Sequence, residues 1–213
     1  MRKRTRTAEK GFSLIEMVMV VALAFTVMAF AVMNTMGSSQ NARANAAMDA
    51  VVAQLRQARE IAIAKRRNVQ VQFTAPNQIQ LTLLTLPALG TLPAEAVPPA
   101  MAPTYLNDNV PGGLTFAVLP ATDTPMKFGN STAISLQQPT GGGAWTVMFT
   151  TSGAFCGSAQ AAASLYQATN NNPVNATIFL GIVGKPNTAR AVTIFGVTGR
   201  IRSYYWTGTA WQE

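Results

Sequence analysis

Two stretches of this sequence hold residues arranged to do chemistry, and they lie near its opposite ends. In Gly11-Phe12-Ser13-Leu14-Ile15-Glu16 a carboxylate stands at the edge of an apolar run; from Met17 to Met33 only Thr26 is polar. A carboxylate carried into lipid costs roughly 2.5–3.5 kcal/mol on insertion scales, so it is usually kept for a partner that neutralises it. The second stretch is Gly199-Arg200-Ile201-Arg202-Ser203-Tyr204-Tyr205-Trp206. Read as a strand, it places Arg200, Arg202, Tyr204 and Trp206 on one face. Two guanidinium groups there could grip phosphates while two rings offer stacking surfaces for bases. Lys185 and Arg190, on the preceding hairpin, would add charge. The same pattern also describes an ordinary, partly solvated sheet face, and both readings stay open at this point.

Other chemistries lack their residues. With no histidine in the chain, a Ser-His-Asp triad, a Cys-His dyad and His-based zinc sites are all absent. A single cysteine, Cys156, excludes an intrachain disulfide and reads as a small buried residue. The carboxylates Glu9, Glu16, Asp49, Glu60, Glu95, Asp108, Asp123 and Glu213 are scattered, and no two are spaced as an acid–base couple or a cation cage. Gly141-Gly142-Gly143 precedes neither a Lys-Ser/Thr pair nor a helix start, so it is not a phosphate loop. The expectation is a chain without enzymatic activity, metal or cofactor.

The charge points the same way. Of a net +8, half sits in residues 1–11, where Arg2, Lys3, Arg4, Arg6 and Lys10 face only Glu9. The body of the chain is therefore only mildly basic. Charged residues make up 11% and hydrophobic residues 48%, which suits a protein working outside the cytoplasm.

The apolar run is just long enough to cross a bilayer, which takes about 20 residues. The basic tail ahead of it should stay in the cytoplasm, leaving the bulk of the chain on the outer side. A secretory signal peptide cut after Ala29-Phe30-Ala31 is one reading. It leaves Glu16 unexplained, and it puts the polar break on the wrong side of the run.

Beyond the run, Met48, Val51, Val52, Leu55, Ala58 and Ala62 recur at helical spacing, with Gln54, Gln57 and Glu60 outside the stripe. The polar stretch Asn34 to Asn45, with Gly37, predicts a kink or local melting. The helix should end near Lys65-Arg66-Arg67-Asn68, where cations complement its dipole. "VQVQF" (69–73) and "IQLTL" (79–83) then alternate as a β-hairpin. A Pro-rich segment, 84–113, reads as a long surface excursion. Further strands are expected at Leu114–Val118, Ala133–Leu136, Trp145–Thr150, Thr177–Val183, Ala191–Phe195 and Arg200–Trp206, with turns at 140–144 and 167–175. "NST" and "NAT" match a glycosylation triplet, a weak signal.

Gly11-Phe12-Ser13-Leu14-Ile15-Glu16, between basic residues and an apolar helix, resembles the class III signal of type IV prepilins and pseudopilins. The resemblance implies cleavage between Gly11 and Phe12 by prepilin peptidase, N-methylation of Phe12, and pairing of Glu16 with the N-terminal ammonium of a neighbouring subunit. Within that group the chain resembles the GspH/FimT family through "LRQAREIAIAKRRNVQVQF" (55–73), "FTTSGAF" (149–155) and "RAVTIFGVTGRIR" (190–202). Gly199-Arg200-Ile201-Arg202 is similar to the GRxR motif of FimT-type minor pilins, which implies DNA capture in natural transformation.

The expected fold is α+β. A long N-terminal helix, transmembrane in its N-terminal half, packs on a mainly antiparallel β domain. The implied segments are a leader (1–11), a transmembrane and filament-core helix (12–36), its amphipathic continuation (37–68) and a β-rich periplasmic domain (69–213). The implied protein is a single-pass inner-membrane subunit of a type II secretion pseudopilus or a type IV pilus. Its partners would be other pilins, prepilin peptidase, the membrane and, in the FimT-like case, DNA. An ordinary exported globular protein is the remaining alternative.

Overall fold

The computed structural model describes residues 13–84, 101–106, 113–117, 124–129, 132–137, 146–157 and 173–213, with side chains of 32–38 excepted. The chain divides into two compact units, Met1–Gln40 and Asn41–Glu213. Gly11 and Phe12 lie outside the described residues, as do the 140–144 turn and most of the Pro-rich segment.

One helix, α1 (Leu14–Lys65), runs through residues of both units. In the first unit, the window Leu14–Ala31 has a mean hydropathy of 2.4 and none of it is buried. The melting expected between Asn34 and Asn45 is not found: helical backbone continues through them. Gly37 costs about 1 kcal/mol relative to Ala, but no proline removes a backbone donor from the ladder. Propagating an existing helix costs far less than starting one.

The helix stops where its basic run begins. Arg66 takes a left-handed conformation (φ 52°). Its N–H donates to the Ile63 carbonyl (3.3 Å), and the Arg67 N–H donates to the Ala62 carbonyl (3.1 Å). This bond pair is a Schellman motif, which satisfies the last carbonyls of a helix and usually places glycine where Arg66 stands.

In the second unit, eleven strands among the described residues form two antiparallel sheets. They are β1 (Val69–Thr74), β2 (Gln78–Leu83), β3 (Thr104–Tyr105), β4 (Leu114–Thr115), β5 (Ile134–Leu136), β6 (Thr146–Phe149), β7 (Phe155–Gly157), β8 (Ala176–Ile182), β9 (Lys185–Phe195), β10 (Arg200–Trp206) and β11 (Trp211–Gln212). One sheet has the order β3-β2-β1-β6-β7; the other runs β11-β10-β9-β8-β4, with β5 also paired to β8. The α+β fold expected from the sequence is therefore present. The early hairpin forms in register, Val69 opposite Leu83 and Phe73 opposite Ile79.

Helix and sheets meet in one core. Ala44, Ala47, Val51, Leu55, Ala58 and Ala62 of α1 pack with Val69, Val71 and Phe149 of the first sheet and Ile178, Leu180, Val192 and Ile194 of the second. Met48 and Val52 flank the stripe, half-buried. Four alanines in the stripe let the helix backbone approach the sheets closely.

Several expectations need correction. The excursion is not loop throughout its described part: β3 pairs with β2, Gln78 opposite Tyr105, and Leu106 is buried. The segment Lys185–Arg190, left out of the expected strands, is the first half of β9. β7 and β11 were not expected, and β4 ends at Thr115. Asn175 of the second triplet is committed internally. Its amide donates to Gln137 Oε1 (2.7 Å) and its Oδ1 accepts from the Gly196 N–H (2.8 Å).

Candidate functional site

At the N-terminal end, Ser13 accepts the first helical bonds, from the N–H groups of Glu16 (3.0 Å) and Met17 (3.2 Å). Ser13 thus stands at the N-cap and Glu16 three residues on, the spacing of a capping box. Neither side chain makes that bond among the described residues. The carboxylate therefore stays open in the first turn, where the helix dipole favours negative charge. Around it the apolar side chains face outward, from Leu14 (82% exposed) to Phe30 (71%). Thr26, the one polar residue of the run, turns its hydroxyl back to the Leu23 carbonyl (2.7 Å), so that hydroxyl is satisfied within the helix.

At the other end, one helix residue organises the site. Arg59 Nε donates to the Gly153 carbonyl (3.3 Å) and Nη2 to the Thr198 carbonyl (3.1 Å). Nearby, the Thr151 N–H donates to Asn68 Oδ1 (3.1 Å). The stretches 55–73, 149–155 and 190–202 thus converge on the end of α1. Gly199 has φ +62°, and a Cβ there would overlap the Gly153 carbonyl and lie 2.7 Å from Arg59 Nε. Glycine is needed in the β9–β10 turn for both reasons, conformation and space.

Cross-strand register decides which expected residues share a surface. Arg200 faces Phe195, Arg202 faces Thr193 and Tyr204 faces Ala191. These residues and Trp206 occupy the sheet face turned away from α1. The expected common face of Arg200, Arg202, Tyr204 and Trp206 is therefore present as backbone alternation, but its members differ in availability. Arg200 is exposed, and its side chain has no hydrogen bond among the described residues. Arg202 pairs with Glu213 (2.9 Å), while its Nε is buried without a hydrogen bond. Tyr204 is only 8% exposed and packs with Phe179, Ala191 and Trp211 in a second small core. Its ring is not open for stacking. Trp206 lies edge-on against Trp211, ring centres 5.2 Å apart.

The two added cations do not join this surface. Arg190 faces Tyr205, on the face turned toward α1. It is 5% exposed and donates to Asn45 Oδ1 (2.7 Å), the Ala189 carbonyl (2.9 Å) and the Asn187 carbonyl (3.1 Å). Burial lowers its pKa from the ordinary guanidinium value. It is a buried structural arginine. Lys185 is exposed at the start of β9, whereas Arg200 faces the end of that strand, about 33 Å away at 3.3 Å per residue. Cys156 is buried as expected, and burial raises its thiol pKa.

A cavity of about 320 Å³ lies between Arg56, Arg59 and Glu60 of α1 and Thr198, Gly199 and Arg200 of the turn. The available signal was the spacing 56, 59, 60, a second helix face beside the apolar stripe. Among the described residues no group of acidic, histidine or cysteine side chains could hold a metal ion.

No family model matches the chain, and no curated protein matches it. Among solved structures, it is similar to the type IV minor pilin FimU of Pseudomonas aeruginosa in two crystal forms. In one, identity is 13% over 79% of this chain and 97% of that one, with a TM-score of 0.40. In the other, identity is 14% over 84% and 96%, again with a TM-score of 0.40.

Proposed function

We propose that this chain is a minor pilin or pseudopilin. In this reading it is a structural subunit held in the inner membrane by its N-terminal helix, with residues 69–213 on the periplasmic side, and drawn from there into a pilus or pseudopilus. The observation that carries the reading is Glu16, a carboxylate without a partner among the described residues, placed in the first turn of a helix whose apolar window Leu14–Ala31 is exposed, just after Gly11-Phe12. Lipid can cover the apolar side chains, but it leaves the carboxylate uncompensated. The ammonium of a neighbouring subunit, freed at Phe12 by prepilin peptidase, would neutralise it. Two charges that are each expensive in lipid then neutralise one another only in register, so the pair rewards correct assembly. The work of such a chain is assembly, with no catalytic step.

The test is intact-mass spectrometry of the chain co-produced with a prepilin peptidase. Loss of residues 1–11 with gain of one methyl group supports the reading, and Gly11→Leu should block both. Glu16→Ala should be processed normally yet fail to enter filaments. Cleavage after Ala31 with release from the membrane would refute it.

A second reading, a FimT-like subunit that captures DNA, is favoured by the exposed, unpaired side chain of Arg200. With Tyr204 and Arg190 committed inside the fold, the contact surface reduces to Arg200, Arg202 and Trp206. Two phosphate contacts give a salt slope of about −1.8 on duplex DNA, so binding by one subunit would be weak. Titrating the detergent-solubilised full chain with labelled DNA, beside an Arg200→Ala/Arg202→Ala double variant, separates this role from a purely structural one.

A further inference from the structure

On the sheet face turned away from α1, the aromatic end of β10 is covered by the chain's own next strand. Three strand spacings, about 14 Å, separate β11 from β8, yet the Trp211 ring centre stands 5.8 Å from that of Phe179. The indole therefore leans across the sheet and closes the small core of Phe179, Ala191 and Tyr204. Two positions on, Glu213 meets Arg202 (2.9 Å). A ring packed with Tyr204 and an anion on Arg202 are the two contacts a nucleotide would make there, one through its base and one through its phosphate.

The cover is lightly attached. β11 joins β10 through two residue pairs, Tyr205 with Gln212 and Trp206 with Trp211, and the Tyr205 hydroxyl donates to Gln212 Oε1 (3.0 Å). Residues 207–210 are exposed and Trp211 is half-buried. The Glu213 side chain is 56% exposed, and ion pairs open to solvent contribute little. The closed position also leaves polar atoms unsatisfied. Arg202 Nε, and Thr193 Oγ1 on the residue directly opposite, are buried without a hydrogen bond. Groups of this kind favour any rearrangement that lets water or a ligand oxygen reach them.

We propose that residues 207–213 form an autoinhibitory arm. Closed, it fills with its own ring and carboxylate the face that single-stranded nucleic acid takes when the arm swings out. Opening would free Tyr204, Trp206 and Arg202 together, beside Arg200, which is exposed already. The proposal rests on the DNA-capturing reading and adds to it a cause for the burial of Tyr204. Apparent affinity then equals the intrinsic affinity multiplied by the open fraction.

The test is a fluorescence-anisotropy titration of a labelled single-stranded oligonucleotide with the full chain in neutral detergent at low salt. Beside it stand Glu213→Gln, Trp211→Ala and a chain lacking residues 208–213, each checked for an intact main core by its thermal melt. Glu213→Gln removes only a charge and should tighten binding about two- to fivefold, as loss of an exposed ion pair allows. Trp211→Ala and the deletion should tighten it about tenfold or more, the reciprocal of a small open fraction. Arg200→Ala/Arg202→Ala in the shortened chain should abolish the gain. Equal binding by the parent and all three variants would overturn the arm and leave the DNA reading standing, as would weaker binding in Glu213→Gln. No binding by the parent or by any variant would overturn the DNA reading, and the arm with it.

Discussion

Gly199→Ala should be among the most damaging single substitutions in the second unit, and its cost divides into two parts. The first is conformational: a non-glycine residue at φ +62° pays about 1–2 kcal/mol. The second is steric: the new methyl group would overlap the Gly153 carbonyl and stand 2.7 Å from Arg59 Nε. Relieving that overlap moves the β9–β10 turn away and stretches both Arg59 bonds, at 3.3 and 3.1 Å. One of these bonds is part-buried and the other exposed, and each contributes at most about 1 kcal/mol. The sum is at most about 3–4 kcal/mol, and at 2–4 °C per kcal/mol for a chain of this size the melting temperature should fall by up to roughly 10 °C. Gly184→Ala isolates the first part. Its φ is +80°, and a Cβ there meets nothing within 4 Å, so it should cost only about 1–2 kcal/mol. Thermal melts of both variants of the full chain in detergent, followed by near-ultraviolet circular dichroism, measure the difference directly. Equal destabilisation of the two would refute the claim that this turn is pressed against the Gly153 carbonyl and Arg59.

Arg66→Gly should be more stable than Arg66→Ala by about 1 kcal/mol, because both lose the cation at the helix end while only glycine relieves the left-handed strain; paired melts would show it. Arg190→Ala strips the donors from Asn45 Oδ1 and from the Ala189 and Asn187 carbonyls, so it should cost about 2–4 kcal/mol. Any DNA affinity should survive that change at temperatures where the variant is still folded. Cys156 should react slowly with iodoacetamide in the native chain and quickly in denaturant. Burial raises its thiol pKa, so reactivity should not rise through pH about 8.5 as it does for an exposed cysteine. The stability linked to this group is fully present below that unfolded-state value and is lost as pH rises through the raised folded one. Denaturation midpoints between pH 7 and 10 would register the loss.

What could be read from the sequence followed from local pattern. The apolar stripe of α1, the β1–β2 hairpin and the span Arg200–Trp206 each carry a period that one element alone can express. The elements that escaped are made by pairing. β3, β7 and β11 are two or three residues long, too short for periodicity to register. The first half of β9 is polar and contains Pro186, so it resembles a loop until β8 pairs with it. Tyr204 was misjudged for a related reason. Alternation assigns a residue to a face, and the inference to an open surface assumes that face is wet. In the second sheet both faces are covered in part: all seven residues of β8 are buried, and Trp211 lies against Phe179 on the side where Tyr204 sits. Arg190 looked like a surface cation because its partner, Asn45, is 145 positions away in the chain.

The same non-local logic changes the meaning of the Gly-Arg-Ile-Arg segment. As a linear motif it suggests four residues that meet a ligand together. In the fold, Gly199 is a packing requirement set by Gly153 and Arg59, and Ile201 joins the core. Arg202 is paired with Glu213, and of the segment only Arg200 is exposed with a side chain that has no partner among the described residues. Its cationic neighbour on the same strand face is Arg202. A change at Gly199 or Arg59 would then abolish binding by displacing Arg200, without either residue touching a ligand. Loss of binding in such variants is evidence about the turn. Evidence about a ligand has to come from Arg200, whose side chain carries no hydrogen bond among the described residues and can be changed with the turn left in place.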